Sequence, residues 1–256
     1  MTQVAPSLAL ARCLAPGALT VADNMALDDL LLDEPGWFIR LTRWAAPAVT
    51  IGRFQPWPER HDSFVAGLHS LHPFGVTSTG PDSLPTVRRV TGGGGIVHGQ
   101  DLTIAVAGDC PSQTFPNRRP AEVAACISSI LANLFETPAC SRAGDDRESS
   151  MRDIADCFAR QSASDVVVAG PEGPIKAGGI ALAFRNGRVL IEASLRRDLL
   201  AADPDDDLQR LSRLAIELGL QPQRWEQGNS FLQGSWSEEI ATRVSNRFGN
   251  PDWNRR

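Results

Sequence analysis

Residues 175–195 leave the chain little choice of local topology. Two apolar runs, 175–184 and 189–195, flank Arg185-Asn186-Gly187-Arg188. Asn and Gly both accept positive φ, as the two-residue turns between antiparallel strands require, so the segment predicts a β-hairpin. At its start, in Pro174-Ile175-Lys176-Ala177-Gly178-Gly179-Ile180, sits the chain's one lysine; every other member of the Lys+Arg total of 25 is arginine. A guanidinium is a wide planar fork, whereas an ammonium is a compact point charge that responds readily to its surroundings. Lys176 therefore reads in two ways: a composition bias that spared one lysine, or a position where arginine cannot serve.

The remaining elements follow from periodicity and punctuation. Asp23 or Asn24 is expected to cap a helix over 25–34, with Met25, Leu27, Leu30 and Leu31 as its apolar stripe and Pro35-Gly36 as its stop. Residues 37–44, 48–52, 87–90, 102–106 and 165–169 read as strands. Residues 62–71 read as a modest helix, 72–85 as a loop, and 121–135 as the clearest helix, stopped by Thr137-Pro138. Residues 140–153 are polar and charged and are expected to be mobile, while 206–218 and 237–248 read as amphipathic helices. Strands and helices interleave without a strict β-α-β rhythm. That pattern predicts an α+β fold, with helices packed on a mostly antiparallel sheet. No repeat or linker divides residues 1–256, so one domain is expected.

Composition removes several functions. The chain has 256 residues, 42% hydrophobic and 21% charged, ample for a large core. Its net charge is −5, and no basic run exceeds pairs such as Arg88-Arg89, Arg118-Arg119 and Arg196-Arg197. Nucleic acid is therefore not an expected partner. Residues 1–15 lack a basic start and an uninterrupted apolar stretch, and no window approaches a membrane span, so a cytoplasmic protein with no membrane partner is expected. Cys13, Cys110, Cys126, Cys140 and Cys157 are odd in number and form no C-x-x-C pair. They argue against a disulfide framework or a structural zinc site and are expected to be free thiols. Cys126 is expected in an apolar helical stripe, and Cys110 and Cys140 in loops. Tyrosine is absent, which removes a phenolic acid or base.

Thr91-Gly92-Gly93-Gly94-Gly95 lies between two apolar strand runs. Consecutive glycines cost conformational entropy on folding, a cost that makes sense where backbone turns at positive φ or where a ligand approaches the main chain. Their N–H groups can form an anion-binding nest, although a plain hairpin turn accounts for the run as well. The run is no P-loop, lacking Gly-Lys-Ser/Thr, and no dinucleotide fingerprint, lacking the following helix. Arg88, Arg89 and His98 flank it. Strand alternation sends Arg88 and Arg89 to opposite faces, so one of them is expected to reach a phosphate or carboxylate.

These residues carry a resemblance. Arg88-Arg89-Val90-Thr91-Gly92-Gly93-Gly94-Gly95-Ile96-Val97-His98, followed by Leu102-Thr103, resembles the R-R-x-[ST]-G-G-G-x-V-x-H…L-T signature of lipoate–protein ligases and octanoyltransferases. Ile51-Gly52-Arg53-Phe54-Gln55 resembles their I-G-x-x-Q strand end, Lys176-Ala177-Gly178-Gly179 their K-[IV]-[SA]-G-[SG]-A element, and Asn24-Met25-Ala26-Leu27-Asp28 their N-M-A-x-D helix. The four pieces keep the family's order over about residues 23–195, with C-terminal helices over 205–248.

The resemblance implies the α+β fold shared with biotin ligases. It also implies transfer of a lipoyl or octanoyl group to a lysine of a lipoyl carrier, the lipoyl domain of a 2-oxoacid dehydrogenase or a glycine cleavage H-type protein. Lys176 would be the cation beside the acyl carbonyl, where negative charge develops during transfer. Arg53, Arg88, Arg89, Gly92, Gly93, Gly94, Gly95, His98, Gly178 and Gly179 would be the substrate-binding positions, with Gly93, Gly94, Gly178, Gly179 and Ala181 able to line an apolar acyl tunnel.

Two routes lie within the family. The first reading is a transferase that takes the chain from an acyl carrier protein and passes through a Cys157 thioester, without a cofactor. Cys157-Phe158, then Asp165, then Lys176 resembles the C-F…D…K order of one transferase subgroup, and a thiolate near an ammonium attacks well. Cys157 as a small buried residue stays open beside it. The alternative is a ligase that uses ATP and Mg to form acyl-AMP. Gly95 after the three glycines is nearer the ligase form, and Glu192-Ala193-Ser194-Leu195 stands where the family shows His-Gly-Ser/Thr-Leu. That departure keeps a non-catalytic acyl- or carrier-binding paralogue in view. A biotin ligase is disfavoured because its G-R-G-R-x-G-R loop is absent.

Overall fold

Strands β6 (Asp101–Asp109) and β10 (Arg188–Arg196) are buried along almost their whole length, the signature of sheet strands covered on both faces. The structure is a computed structural model that describes residues 8–57, 84–135, 141–142, 162–200 and 203–256, and the statements below concern these. In chain order the other elements are β1 (Ala9–Ala15), α1 (Val21–Asp33), β2 (Trp37–Thr42), β3 (Ala48–Ile51), β4 (Thr86–Arg88), β5 (Ile96–His98), α2 (Pro120–Leu134), β7 (Ser141–Arg142), β8 (Val166–Gly170) and β9 (Gly173–Arg185). After β10 come α3 (Arg197–Leu200), α4 (Asp207–Glu217), β11 (Leu220–Pro222), β12 (Glu226–Gln227), α5 (Ser235–Arg243), a π turn (Val244–Phe248) and α6 (Pro251–Asn254).

The main sheet has nine strands in the order β11-β1-β2-β6-β10-β9-β8-β7, with β12 also beside β1. Strand β1 runs parallel to β2, β11 and β12, and the other pairs are antiparallel. A second sheet, β4-β3-β5, carries the segments on either side of the glycine run. One face of the main sheet packs Ile39, Ile104 and Ile191 against Val123, Ile127 and Leu131 of α2 and Leu211 and Leu214 of α4. The other packs Phe38, Ala105, Ala107 and Leu190 against Met25, Leu27, Leu30 and Leu31 of α1. This is the expected α+β architecture.

The hairpin forms as its turn residues predict: Asn186 (φ 49°) and Gly187 (φ 77°) both take positive φ, and Arg185 pairs with Arg188. Helix α1 corrects the cap expectation. It starts at Val21 because the Thr20 side chain accepts from Asp23 N at 3.2 Å, a Thr-x-x-Asp pattern that was available in the sequence. Asn24 lies inside the helix and donates to Leu19 O and Arg43 O. The strand β1 was not anticipated, because its partners β11 and β12 are two- and three-residue pieces from the far end of the chain. The single helix expected over 237–248 instead starts at Ser235 and gives way to the π turn after Arg243. The expectations for 62–71 and 140–153 concern segments outside the described residues, apart from the short strand β7.

The C-terminal helices are held on α1 by ion pairs. Asp29, 1% exposed, pairs with Arg185 and Arg247 at 2.8 Å each and with Arg243. Asp33 pairs with Arg185 at 2.7 Å and Arg243 at 3.0 Å. A buried carboxylate shared by three guanidinium groups is worth more than a surface pair, because its loss leaves cations without their counter-charge. Asp29→Asn should therefore lower the unfolding free energy by about 1.5–3 kcal/mol, read as a reduced urea midpoint; an unchanged midpoint would show that the ion pairs do not hold this block.

Candidate functional site

The glycine turn is built by its two arginines. After β3 the chain passes through Gly52 so close to the turn that a Cβ there would lie 1.8 Å from Gly93 O. Gly93 itself has φ +93°, a conformation that disfavours any side chain. Arg89 holds the turn from below, donating to Gly92 O (2.6 Å), Gly94 O (2.9 Å), Thr91 Oγ1 (3.1 Å) and Thr50 Oγ1 (3.2 Å). Arg88 donates to Gly52 O (2.8 Å), Arg53 O (3.2 Å) and Asn254 O (3.1 Å), and Trp253 Nε1 donates back to Arg88 O. Both guanidinium groups are buried and hold main-chain carbonyls. Both shape the turn, and Arg89 Nε also comes within 3.9 Å of a carboxylate, that of Glu192. The Arg53 N–H is zipped to Thr91 O at 2.8 Å, while its exposed side chain lies over the Phe54 ring. Gly92 N donates to Leu182 O of β9, which sets the turn on the main sheet.

His98 ties the two sheets together. Its Nδ1 meets Asp101 Oδ2 and its Nε2 meets Thr50 Oγ1, both at 2.8 Å, and its ring stacks on Trp44 at 4.1 Å. Asp101 also accepts from Thr103 Oγ1 (2.6 Å) and Ser194 Oγ (2.7 Å). Burial works to raise the Asp101 carboxyl, but His98 and these hydroxyl donors outweigh it and hold it well below the usual carboxylate range. His98 is thus the centre of a buried polar cluster.

A bulge aims Lys176. Across β8 and β9, Val166 pairs with Gly178 and Val167 with Lys176, so one step on β8 spans two on β9 and Ala177 is the extra residue. Val166 and Val168 face the α2 core. Val167 and its partner Lys176 therefore face the α1 side, since ladder partners share a face and neighbours along a strand alternate. By the same register Gly179 and Ala181 face that side too, as partners of Ser194 and Glu192. Lys176 Nζ lies 2.7 Å from Asp165 Oδ2, the two side chains being 8% and 6% exposed. Asp165 also accepts from Ser162 N at 2.6 Å, which fixes the carboxylate. In the sequence Asp165 opened a strand and stood between Cys157 and Lys176 in the C-F…D…K order; the ion pair sets it directly beside Lys176.

Gly178 is the corrected member of the lining set. Its pairing with Leu195 of β10 places it on the α2 face, where a Cβ would lie 2.1 Å from Leu195 Cδ2 and 2.9 Å from Ser194 O. It is a packing glycine.

Glu192, beside Ala181, was noticed as a departure from the family pattern, and its surroundings explain why it matters. Its Oε2 accepts a short hydrogen bond from Thr91 Oγ1 of the glycine turn and lies 3.9 Å from Arg89 Nε. Burial, then the nearby Asp28 charge, push its carboxyl up to about 7 against the opposing pull of Arg89. Cys157 lies outside the described residues, as does Cys140. Of the described cysteines, Cys13 is buried and its thiol is pushed up to about 11 by burial, Cys110 is buried and also raised, and Cys126 is exposed on α2 rather than in its apolar stripe.

No family model matches the chain, and no curated protein matches it. Solved structures do match. The T. acidophilum bi-partite lipoate protein ligase, solved in a study with its E2 lipoyl domain, has a TM-score of 0.67 at 14% identity, covering 97% of this chain and 97% of its own. Lipoate-protein ligase A bound with ATP has a TM-score of 0.67 at 16% identity over 98% of this chain and 99% of that one. P. falciparum LipL1 in complex with lipoate has a TM-score of 0.59 at 13% identity over 96% of this chain and 73% of that one. The chain has the fold of these lipoate–protein ligases, as the sequence resemblance implied.

The two kinds of glycine separate on substitution. Gly178→Ala should cost about 1–3 kcal/mol through overpacking, whereas Gly92→Ala, whose Cβ meets nothing within 4 Å, should stay within about 0.5 kcal/mol of wild type. Urea midpoints measure both, and equal values would refute the assignment.

Proposed function

We propose that this protein attaches a lipoyl or octanoyl group to a lysine of a lipoyl carrier domain. The observation that carries the reading is Lys176: the chain's one ammonium, anchored by Asp165 at 2.7 Å and aimed by the Ala177 bulge onto the face lined by Gly179 and Ala181. A fixed cation in a largely dry site stabilises the oxyanion that develops on an acyl carbonyl and costs no reorganisation when the reaction occurs. Small residues beside it leave room for an acyl chain. Asp165 is the positioning group, since an ammonium on a four-carbon stem needs a partner to hold its place.

In the first reading the acyl group arrives on Cys157. The thiolate attacks the thioester of an acyl carrier protein, expelling the carrier's thiolate, and the incoming lysine amine then displaces the cysteine sulfur. Among the described cysteines, Cys13 and Cys110 are buried with raised thiol values, unsuited to that role. The second reading is ATP-dependent formation of acyl-AMP, with which the fold likeness to lipoate-protein ligase A bound with ATP is consistent. An Mg ion on that route would be carried mainly by phosphate oxygens. The partner on either route is the lipoyl domain, and the expected location is the cytoplasm. Among the described residues no helix is long and apolar enough to cross a membrane.

Acylation of an apo lipoyl domain tests the reading. Lys176→Arg should lose about 10²–10³-fold in rate with its fold intact; retained activity would remove the central role of the ammonium. Cys157→Ser should abolish a covalent acyl-enzyme in intact-mass measurement with octanoyl carrier protein as donor, and an adduct that persists would place the nucleophile elsewhere.

A further inference from the structure

Asp28 of α1 and Glu192 of β10 are buried, at 1% and 8% exposure, and each carboxyl bears directly on the other. Each has one oxygen otherwise engaged. Asp28 Oδ1 takes a short hydrogen bond from Arg40, and Glu192 Oε2 takes one from Thr91. The remaining oxygens, Asp28 Oδ2 and Glu192 Oε1, are buried and meet no donor. Two ionised carboxylates offer only acceptors, so two neighbouring buried oxygens that lack a donor are satisfied together by one proton placed between them.

We infer that Asp28 and Glu192 share a single proton, and that the resulting carboxyl–carboxylate bond makes Glu192 a positioning residue for Thr91 and the glycine turn. The chain of contacts runs from Arg40 to Asp28, through the shared proton to Glu192, and on to Thr91. It couples α1 to the turn across the sheet. Every charged group that bears on the pair fits this state. From α1 come Asp28 itself and the charge of Asp29, from β2 Arg40, and from the turn Arg89; the β6 and β9 ladder partners of Glu192 and its neighbours on this face are Ala105 and Ala181. The two cations keep the remaining negative charge compensated, and the proton removes the repulsion between the two acids.

The sign of the pH dependence follows. Glu192 stays protonated to about 7 in the folded chain against an ordinary 4.5, so the unfolded chain releases its proton first as pH rises. Stability is greatest at the acid end of that window and falls as pH rises through it. Above it, repulsion between the two ionised acids loosens the hold on Thr91.

The effect on turnover rests on the function proposed above; the shared proton does not. Infrared spectra of the folded protein at pH 6 should show a buried protonated-carboxyl stretch that titrates away near pH 7. Glu192→Gln, whose amide N–H replaces the shared proton, should lack that band, as should Asp28→Asn. Between pH 5 and 8 the wild-type Tm should fall more steeply than that of Glu192→Gln. In carrier acylation the wild type should lose kcat/KM about tenfold per pH unit above 7 through this group, a limb absent from Glu192→Gln. Absence of the wild-type band, or its persistence in both variants, would overturn the inference. A band that behaves as described in a protein that acylates no carrier would instead overturn the proposed function and leave the shared proton standing.

Discussion

Lys176 meets Asp165 at 2.7 Å only because β9 carries one more residue than β8 across the same step. In an unbroken ladder Lys176 would share a face with Gly178 and point into the α2 core, where an ammonium would meet Ile and Leu side chains and pay the desolvation cost of a buried, unpaired charge. The bulge removes that conflict, turning the lysine toward the α1 side and leaving Gly178 to pack under Leu195. The placement of Gly179 and Ala181 near the ammonium follows from the same register.

Around this pair the polar groups of the α1 side are organised as supports. Arg89 holds the glycine turn by its carbonyls, Arg88 holds the 52–55 turn and the C-terminal helix, and His98 with Asp101 joins the small sheet to the large one. Such groups are costly to bury unless each finds a partner, and here a partner bonded to one group is often bonded to a second. Thr50 contacts both His98 and Arg89; Thr91 contacts both Arg89 and Glu192. The consequence is a rigid frame around the glycine turn, with α1 contributing through Asp28.

Local patterns made part of this legible from sequence. Asn186-Gly187 announced its hairpin because positive φ is a property of those two residues, and the apolar runs 102–106 and 189–195 announced strands. The isolation of Lys176 singled out a residue that forms a buried ion pair, and the motif order anticipated the fold. What stayed hidden depends on distant partners. Nothing near Arg88 shows that Asn254 will take its donors, nothing in Glu192 names Asp28, and the face on which Lys176 lies is decided by the register of β8 rather than by β9 alone. The Thr20 cap of α1 is of another kind, since the local Thr-x-x-Asp pattern carries it without any distant partner.

Because the chain has a single lysine, its surroundings can be followed without assignment. A protein labelled with ¹³Cε-lysine gives one side-chain signal, and titration with octanoate or lipoate reads the environment of Lys176 directly. This signal should shift on binding and saturate with the same Kd as calorimetry. Calorimetric binding that leaves the lysine signal unmoved would contradict the placement of Lys176 beside the acyl group.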